Sequence, residues 1–372
     1  MSQLQETLDR LTAPGKLFKP TETERLECVA CAHRCKIAPG HRGICQVRFN
    51  PDDGSGELHV PHGYVAGMQA DPIEKKPFAH FLPGSDALTF GMLGCNLQCD
   101  FCQNWLTSQT LRDPQAKIPH NYIEEITAEE VVETALENRA DIIASSYNEP
   151  LITSEWAKDI FELAIKKGIQ CVYVSNGVAT PEVLEFLQPV LRGFKVDLKT
   201  MQAKQYKECG GGLQPVLDSI IKAHELGMWV EVVTLVIPEY NDSNEELWDA
   251  ARFISSVSAD IPWHVTAFYP DYKHTEVPPT SAEILQRAAE IGQEAGLHYV
   301  YAGNLPGKVG SLEDTFCPHC TTRLIQRRGY TLMDYKITAE GKCTQCGNVI
   351  AGVWTDNPSS VRLHGMGMPR RI

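Results

Sequence analysis

Through the middle of the chain, short apolar β-prone runs alternate with amphipathic segments. The runs at 87–93, 141–147, 170–175, 194–198, 229–237, 263–268 and 298–301 predict strands. Between them apolar residues recur every three or four positions at 127–138, 153–167, 180–188, 214–226, 243–257 and 280–295, which predicts helices. Thr127, Thr153, Thr180 and Ser243 stand at helix starts as N-caps. Strands alternating with helices make βαβ units and a parallel sheet. Right-handed crossovers would wind six or seven such units into an α/β barrel or partial barrel. The pattern predicts three parts: an N-terminal Cys-rich segment over 1–85, a barrel core over 86–304, and a C-terminal ribbon over 305–372. In the ribbon, 323–326 and 329–332 read as hairpin strands.

In such folds the chemistry sits at the C-terminal ends of the strands, so the polar residues there carry the functional reading. The second strand leads into Tyr147-Asn148-Glu149-Pro150, and the third into Ser175-Asn176-Gly177, where Asn and Gly tolerate a tight ligand-facing turn. In the fourth, alternation puts Asp197 and Lys199 on one face, and a charged pair inside a barrel needs a partner. The fifth ends at Ile237-Pro238. In the sixth, His264 and Thr266 share a face and Asp271 lies in the loop beyond. His264 and Asp271 are the candidates for substrate contact. The stretch from Asp71 to Phe78 carries Lys75 and Lys76 just before the first core strand, where they read as a solvated turn or as the rim of a substrate entrance.

Cysteine changes the picture most. Of 13 cysteines, 11 fall in three clusters, while Cys171 and Cys209 stand alone and read as small buried hydrophobes. In a reducing compartment clustered Cys points to metal rather than to disulfides. Cys95, Cys99 and Cys102, in C-x3-C-x2-C spacing, deliver three thiolates to one point. A four-iron cluster takes four Cys ligands, so a loop supplying three leaves one iron open, as a catalytic zinc keeps one position free. Cys28, Cys31, Cys35 and Cys45 form a C-x2-C-x3-C-x9-C set that suits zinc or an iron–sulfur cluster, and the spacing does not choose between them. Cys317, Cys320, Cys343 and Cys346 make two C-x2-C knuckles, which close a tetrahedral site for zinc or a rubredoxin-like iron.

A net charge of −13 argues against a general polyanion binder. The basic residues Arg323, Arg327, Arg328, Arg370 and Arg371 read as a solvated surface, and no nucleic-acid partner is expected. No apolar run is long enough to span a bilayer, and the first residues lack a secretory pattern. The expected location is the cytoplasm, with no membrane partner.

The loop Cys95-Asn96-Leu97-Gln98-Cys99-Asp100-Phe101-Cys102-Gln103-Asn104 resembles the cluster motif of the radical S-adenosylmethionine (SAM) enzymes. With both Cys flanks, the Asp71–Phe78 stretch, Tyr147-Asn148-Glu149-Pro150, Pro262-Trp263-His264 and the terminal ribbon, nearly the whole chain is similar to the radical SAM member of the AmmeMemoRadiSam set. That family is related to pyruvate formate-lyase activating enzymes. The resemblance implies a four-iron, four-sulfur cluster on Cys95, Cys99 and Cys102, and SAM chelated to the open iron. Cleavage would give a 5′-deoxyadenosyl radical that abstracts hydrogen from an unassigned substrate. It implies SAM contacts at Glu149, Asp197 and Lys199, with Asn148, Ser175 and Asn176 beside them and Ile237 packing on the adenine. Such enzymes commonly carry Gly-Gly-Glu-Pro where this chain has Tyr147-Asn148-Glu149-Pro150, so the SAM site is expected to look unusual there. The implied partners are an electron donor, Memo-like and AMMECR-type proteins, and a protein substrate if the chain is a glycyl-radical-enzyme activase. A non-catalytic metal-ribbon scaffold is the remaining alternative.

Overall fold

The computed structural model describes residues 3–118, 122–365 and 370–371. The side chains of Arg370 and Arg371, and with them part of the expected basic patch, lie outside the described residues. Eight of the nine strands of the central sheet are β1 (Met68–Pro72), β2 (Asp86–Phe90), β3 (Ile142–Ser145), β4 (Gln170–Ser175), β5 (Gly193–Asp197), β6 (Trp229–Val236), β7 (Trp263–Ala267) and β8 (Val300–Gly303). From β2 to β8 they are parallel and follow chain order, with Leu88 opposite Ile143 and Val233 opposite His264. β1 pairs antiparallel with β2, and residues 370–371 pair with β1. The fold is thus an α/β partial barrel of seven parallel strands with an antiparallel edge.

Six helices make the crossovers: α1 (Ala128–Glu137), α2 (Ser154–Lys166), α3 (Pro181–Leu187), α4 (Leu213–Glu225), α5 (Asn244–Val257) and α6 (Ala282–Glu294). Thr127 closes a capping box with Glu130, and the hydroxyls of Thr180 and Ser243 accept from Val183 N and Glu246 N. Thr153 departs from the expectation. A 3-10 turn over Pro150–Thr153 precedes α2, so the Thr153 hydroxyl donates to the Pro150 carbonyl, and Glu149 caps the turn instead. α2 buries Trp156, Ile160 and Phe161 against the sheet; each such side chain contributes roughly 1.5–3 kcal/mol.

Because helices cover the sheet, its strands are apolar on both faces. In β5 to β7 the charged and histidine side chains share one parity. Lys195 and Asp197 in β5, Glu231 in β6, and His264 and Thr266 in β7 point to the barrel interior with Val233 and Leu235. The predicted strand at 87–93 stops at Phe90. Gly91 lies so close to the β3 end that a Cβ there would sit 2.7 Å from the Ser146 carbonyl, and the chain bends away into the cluster loop.

The flanking segments are packed onto the barrel. Leu8, Leu58, Val60 and Tyr64 join the main core, and β1 belongs to the main sheet. The ribbon hairpin, β9 (Arg323–Arg328) and β10 (Thr331–Tyr335), has its own small core of Leu324, Ile325, Leu332 and Ile350, which closes on Tyr299 and Tyr301 at the barrel edge. No helix among the described residues is long and apolar enough to cross a membrane.

Candidate active site

The loop leaving β2 carries the first three functional cysteines. Gly94 has φ +89°, and a Cβ there would stand 2.8 Å from the Cys45 carbonyl, so the turn requires glycine. The loop is fixed by Gln98 N donating to the Cys209 carbonyl at 2.8 Å and by Leu97 N donating to Cys95 Sγ at 3.3 Å. Cys95, Cys99 and Cys102 all face one chamber of about 400 Å³ at the C-terminal mouth of the barrel. Burial, with Glu149 nearby, pushes the Cys95 thiol up to about 12. Burial likewise raises Cys102, and a hydrogen bond with Cys209 followed by burial raises Cys99. Three thiols converging on one chamber are the donor set a metal cluster needs, and a bound cluster would take them as thiolates.

Glu149 forms another part of the wall. It is 2% exposed, and one carboxylate oxygen accepts from Ser175 Oγ at 2.7 Å and Leu151 N at 3.0 Å. The other accepts from Asn176 N at 2.7 Å, which leaves one acceptor position free. Burial pushes this carboxyl up to about 7, against the three hydrogen bonds that favour its ionised form. Asn176 donates through Nδ2 to Asn96 Oδ1 at 2.7 Å and lies 3.8 Å from Cys95 Sγ, so it ties Glu149 to the cysteine loop. The Asn148 amide oxygen accepts from Met92 N at 3.0 Å, holding the end of β2.

Tyr147 occupies left-handed space, φ +70°, where a bulky residue is strained. Its ring lies under Lys76 Nζ at 4.6 Å, and its hydroxyl donates to Asp71 Oδ2 at 3.2 Å. Asp71 also holds Lys75 at 2.8 Å and Lys76 at 2.6 Å. Both lysines line the chamber, so of the two readings of this stretch the structure places them on the rim. Burial lowers Lys76 to about 8, although Asp71 opposes the shift.

The Asp197 and Lys199 pair is present and rearranged. Asp197 bonds Lys195, which is buried deeper on the same face, and Lys199 Nζ stands farther off at 3.7 Å. All three line the chamber. Burial opposes the Lys199 charge, but Asp197 and Cys99 hold its pKa well above the usual range. From β6 it is Val233 and Leu235 that face the chamber, while Ile237 is fully buried beyond it.

His264 faces an adjoining chamber of about 470 Å³, which shares Thr266, Asn304 and Tyr330 with the first. Its Nε2 lies 2.6 Å from Glu231 Oε2, and its ring stacks on Tyr301. Glu231 also accepts from Ala79 N, His80 N and Trp229 Nε1, each at 2.9 Å. Burial works against its charge, but His264 and these donors hold it below the usual carboxylate range. Sequence reasoning passed over Glu231 and Lys195, although a charged residue at inner parity in an apolar strand marks both. Cys209, read as a small buried hydrophobe, is buried, and its thiol also lies 3.6 Å from Tyr240 Oη beside Cys99. Asp271 lines neither chamber; its carboxylate accepts from Tyr272 N at 2.7 Å within its own loop.

In the ribbon, the sulfurs of Cys317, Cys320, Cys343 and Cys346 lie within 4.8 Å of one another, and the Cys317–Cys346 and Cys320–Cys343 pairs are 3.7 Å apart. A tetrahedron of thiolates about 2.3 Å from a central ion has edges close to that length, so this set fits one ion.

Comparison with known proteins agrees with the geometry. Residues 90–254 match the model of the Radical SAM superfamily. An uncharacterized protein of Methanocaldococcus jannaschii is 36% identical over 336 residues, 90% of this chain and 97% of its own length. The chain belongs to the radical SAM superfamily. A GTP 3′,8-cyclase of Aquifex aeolicus is 24% identical over 276 residues, 68% of this chain and 78% of its own. Among solved structures, a radical SAM methyltransferase from Sphaerobacter thermophilus has a TM-score of 0.47 at 16% identity, covering 62% of this chain and 70% of that one. Radical SAM membership implies a four-iron cluster and SAM, and the three chamber-facing thiols opposite an acceptor carboxylate fit both.

Proposed function

We propose that this chain is a radical SAM enzyme that cleaves SAM reductively and acts on a small molecule held in the second chamber. One observation carries the reading: three thiols and Glu149 line the same 400 Å³ chamber, which opens into another. The bound cluster and SAM would supply the 5′-deoxyadenosyl radical that takes hydrogen from substrate. Cys95, Cys99 and Cys102 would hold the cluster. Glu149 would accept from the SAM amino group at its free position, with Ser175, Asn176 and Asn148 keeping Glu149 and the loop in place. Asp197 and Lys199 would border the cofactor, Val233 and Leu235 would pack on the adenine where Ile237 was expected, and His264 would meet substrate. Tyr330 of the ribbon walls both chambers, a placement that favours a small substrate over the activase reading. The whole-chain resemblance supports Memo-like and AMMECR-type partners and an electron donor, and the cytoplasmic location expected from the sequence goes with it. Protein reconstituted anaerobically with iron and sulfide, then given SAM and dithionite, should form 5′-deoxyadenosine, and Cys99→Ala should not. Wild-type protein that takes up a cluster yet cleaves no SAM would sink the proposal.

A further inference from the structure

The N-terminal cysteines lie directly behind the cluster loop. Ala32 N donates to the Val178 carbonyl at 3.1 Å, His33 Nε2 lies 2.8 Å from the Asn96 carbonyl, and the Gly94 turn sits against the Cys45 carbonyl. Cys28, Cys31 and Cys45 are at most 5% exposed. Cys35 is half-buried beneath the exposed Ile44, whose N–H donates to Cys35 Sγ at 3.5 Å. Cys28 N donates to the Cys35 carbonyl at 2.9 Å, Arg34 N to the Cys31 carbonyl at 3.1 Å, and a Cβ on Gly43, two residues before Cys45, would stand 3.6 Å from Cys35 Sγ, so the four cysteines lie together.

Two buried donors point to what the group holds. Arg48 is 1% exposed and spends its terminal nitrogens on Glu155, at 2.7 and 2.8 Å, and on the Ile152 carbonyl. Its Nε has no partner, and the Cys28 and Cys45 thiols are near enough to favour the guanidinium charge. Asn96, fully buried, uses Oδ1 toward Asn176 and Cys95, while its Nδ2 has no close acceptor and reaches only the Cys31 sulfur, whose ionised form it favours. An orphaned buried donor costs about 1–3 kcal/mol. Thiolates and the inorganic sulfides of a cluster would be acceptors for both, and such hydrogen bonds tune cluster potentials. A single zinc ion brings no sulfide of its own. The contrast with the ribbon points the same way: among the described residues the ribbon's four sulfurs are the set gathered to single-ion spacing.

Resting on the radical SAM reading, we infer that Cys28, Cys31, Cys35 and Cys45 hold a second four-iron cluster, which feeds electrons to the first through Asn96. A single amide side chain separates Cys31 from Cys95. One electron enters from a ferredoxin- or flavodoxin-type protein, which leaves oxidised by one; the second cluster is reduced, then returns to its oxidised state as the first is reduced. No bond is made or broken in this transfer.

Acid-labile sulfide tests the assignment, because neither zinc nor a rubredoxin-like iron in the ribbon contributes any. Wild-type chain, reconstituted anaerobically, should carry about eight sulfides, from two four-iron clusters. About four overturns the second cluster and leaves the radical SAM reading standing; none overturns that reading itself. The relay has its own readout, the ratio of SAM cleavage driven by reduced flavodoxin to cleavage driven by dithionite. Cys28→Ser/Cys31→Ser should lose about half the sulfide and lower that ratio about tenfold or more. Asn96→Leu should keep the sulfide and lower the ratio too, which guards against misfolding of the double variant. An unchanged ratio in both overturns the relay.

Discussion

The ribbon and the cluster loop both gather thiols at one point, and they differ in what the gathering leaves open. In the ribbon, four sulfurs lie within 4.8 Å of one another, two pairs of them at 3.7 Å, a full tetrahedral set packed against the ribbon's small core. In the loop, three sulfurs face a 400 Å³ chamber whose other walls carry Glu149, Asp197 and Lys199. A complete ligand set makes a staple, whereas an incomplete one beside a polar cavity makes a site for chemistry. The metal-binding residue type is the same in both, so the missing fourth ligand and the cavity carry the functional distinction.

The largest effects should separate the two regions cleanly. Cys99→Ala should lower 5′-deoxyadenosine formation by more than about a thousandfold, and metal analysis should still find the ribbon ion. Cys343→Ala should do the reverse: the ion is lost, and thermal melting drops by several kcal/mol equivalent, roughly the scale at which structural metal couples to folding. If Cys343→Ala abolished SAM cleavage in protein that still holds its core cluster, the division of labour would be wrong.

Glu231→Gln tests the polar interior between the two regions. Breaking the buried Glu231–His264 pair should cost about 3–5 kcal/mol in urea unfolding. A loss under about 1 kcal/mol would mean the pair is not formed in the buried state.

The pH dependence of SAM binding should be smaller. Burial raises Glu149 from 4.5 to about 7, so the folded chain retains a proton that the unfolded chain has released. The stability this group contributes is present below pH 4.5 and is lost as pH rises through 7. SAM binding needs the ionised acceptor, so affinity should fall below pH 7, toward tenfold per unit. Glu149→Gln should flatten that slope, and a wild-type profile that is level from pH 8 to 6 counts against the assigned contact. The smallest effect belongs to Tyr147→Gly. Relief of its strained backbone, about 1 kcal/mol, offsets the lost contacts to Asp71 and Lys76. Net stability should change little; a large destabilisation in urea unfolding would show that the ring supports the fold.

The strand and helix alternation was legible because each element carries its own period, and the cluster loop because three thiols in short spacing have few structural uses. What was less legible depends on contacts distant in sequence. Asp197 was paired on paper with Lys199, yet its close partner is Lys195, one strand position deeper. Thr153 looked like an N-cap until the preceding 3-10 turn placed Glu149 in that role. Ile237 lost its expected place because β6 ends one residue earlier and turns its side chain into the core. Glu231 could have been found: Trp229-Val230-Glu231-Val232-Val233 sets one acid at inner parity in an apolar strand, a cost that asks for a partner. Cys209 could not, since only the fold brings it to Cys99.

In the proposed site SAM supplies the ligand that the cluster loop lacks. Electron–nuclear double resonance on the reduced protein, with SAM labelled by nitrogen-15 at its amino group, tests it most directly. A hyperfine coupling between the labelled nitrogen and the cluster, lost in Cys99→Ala, is the predicted result. A reduced cluster that shows no coupling at saturating SAM would contradict the account.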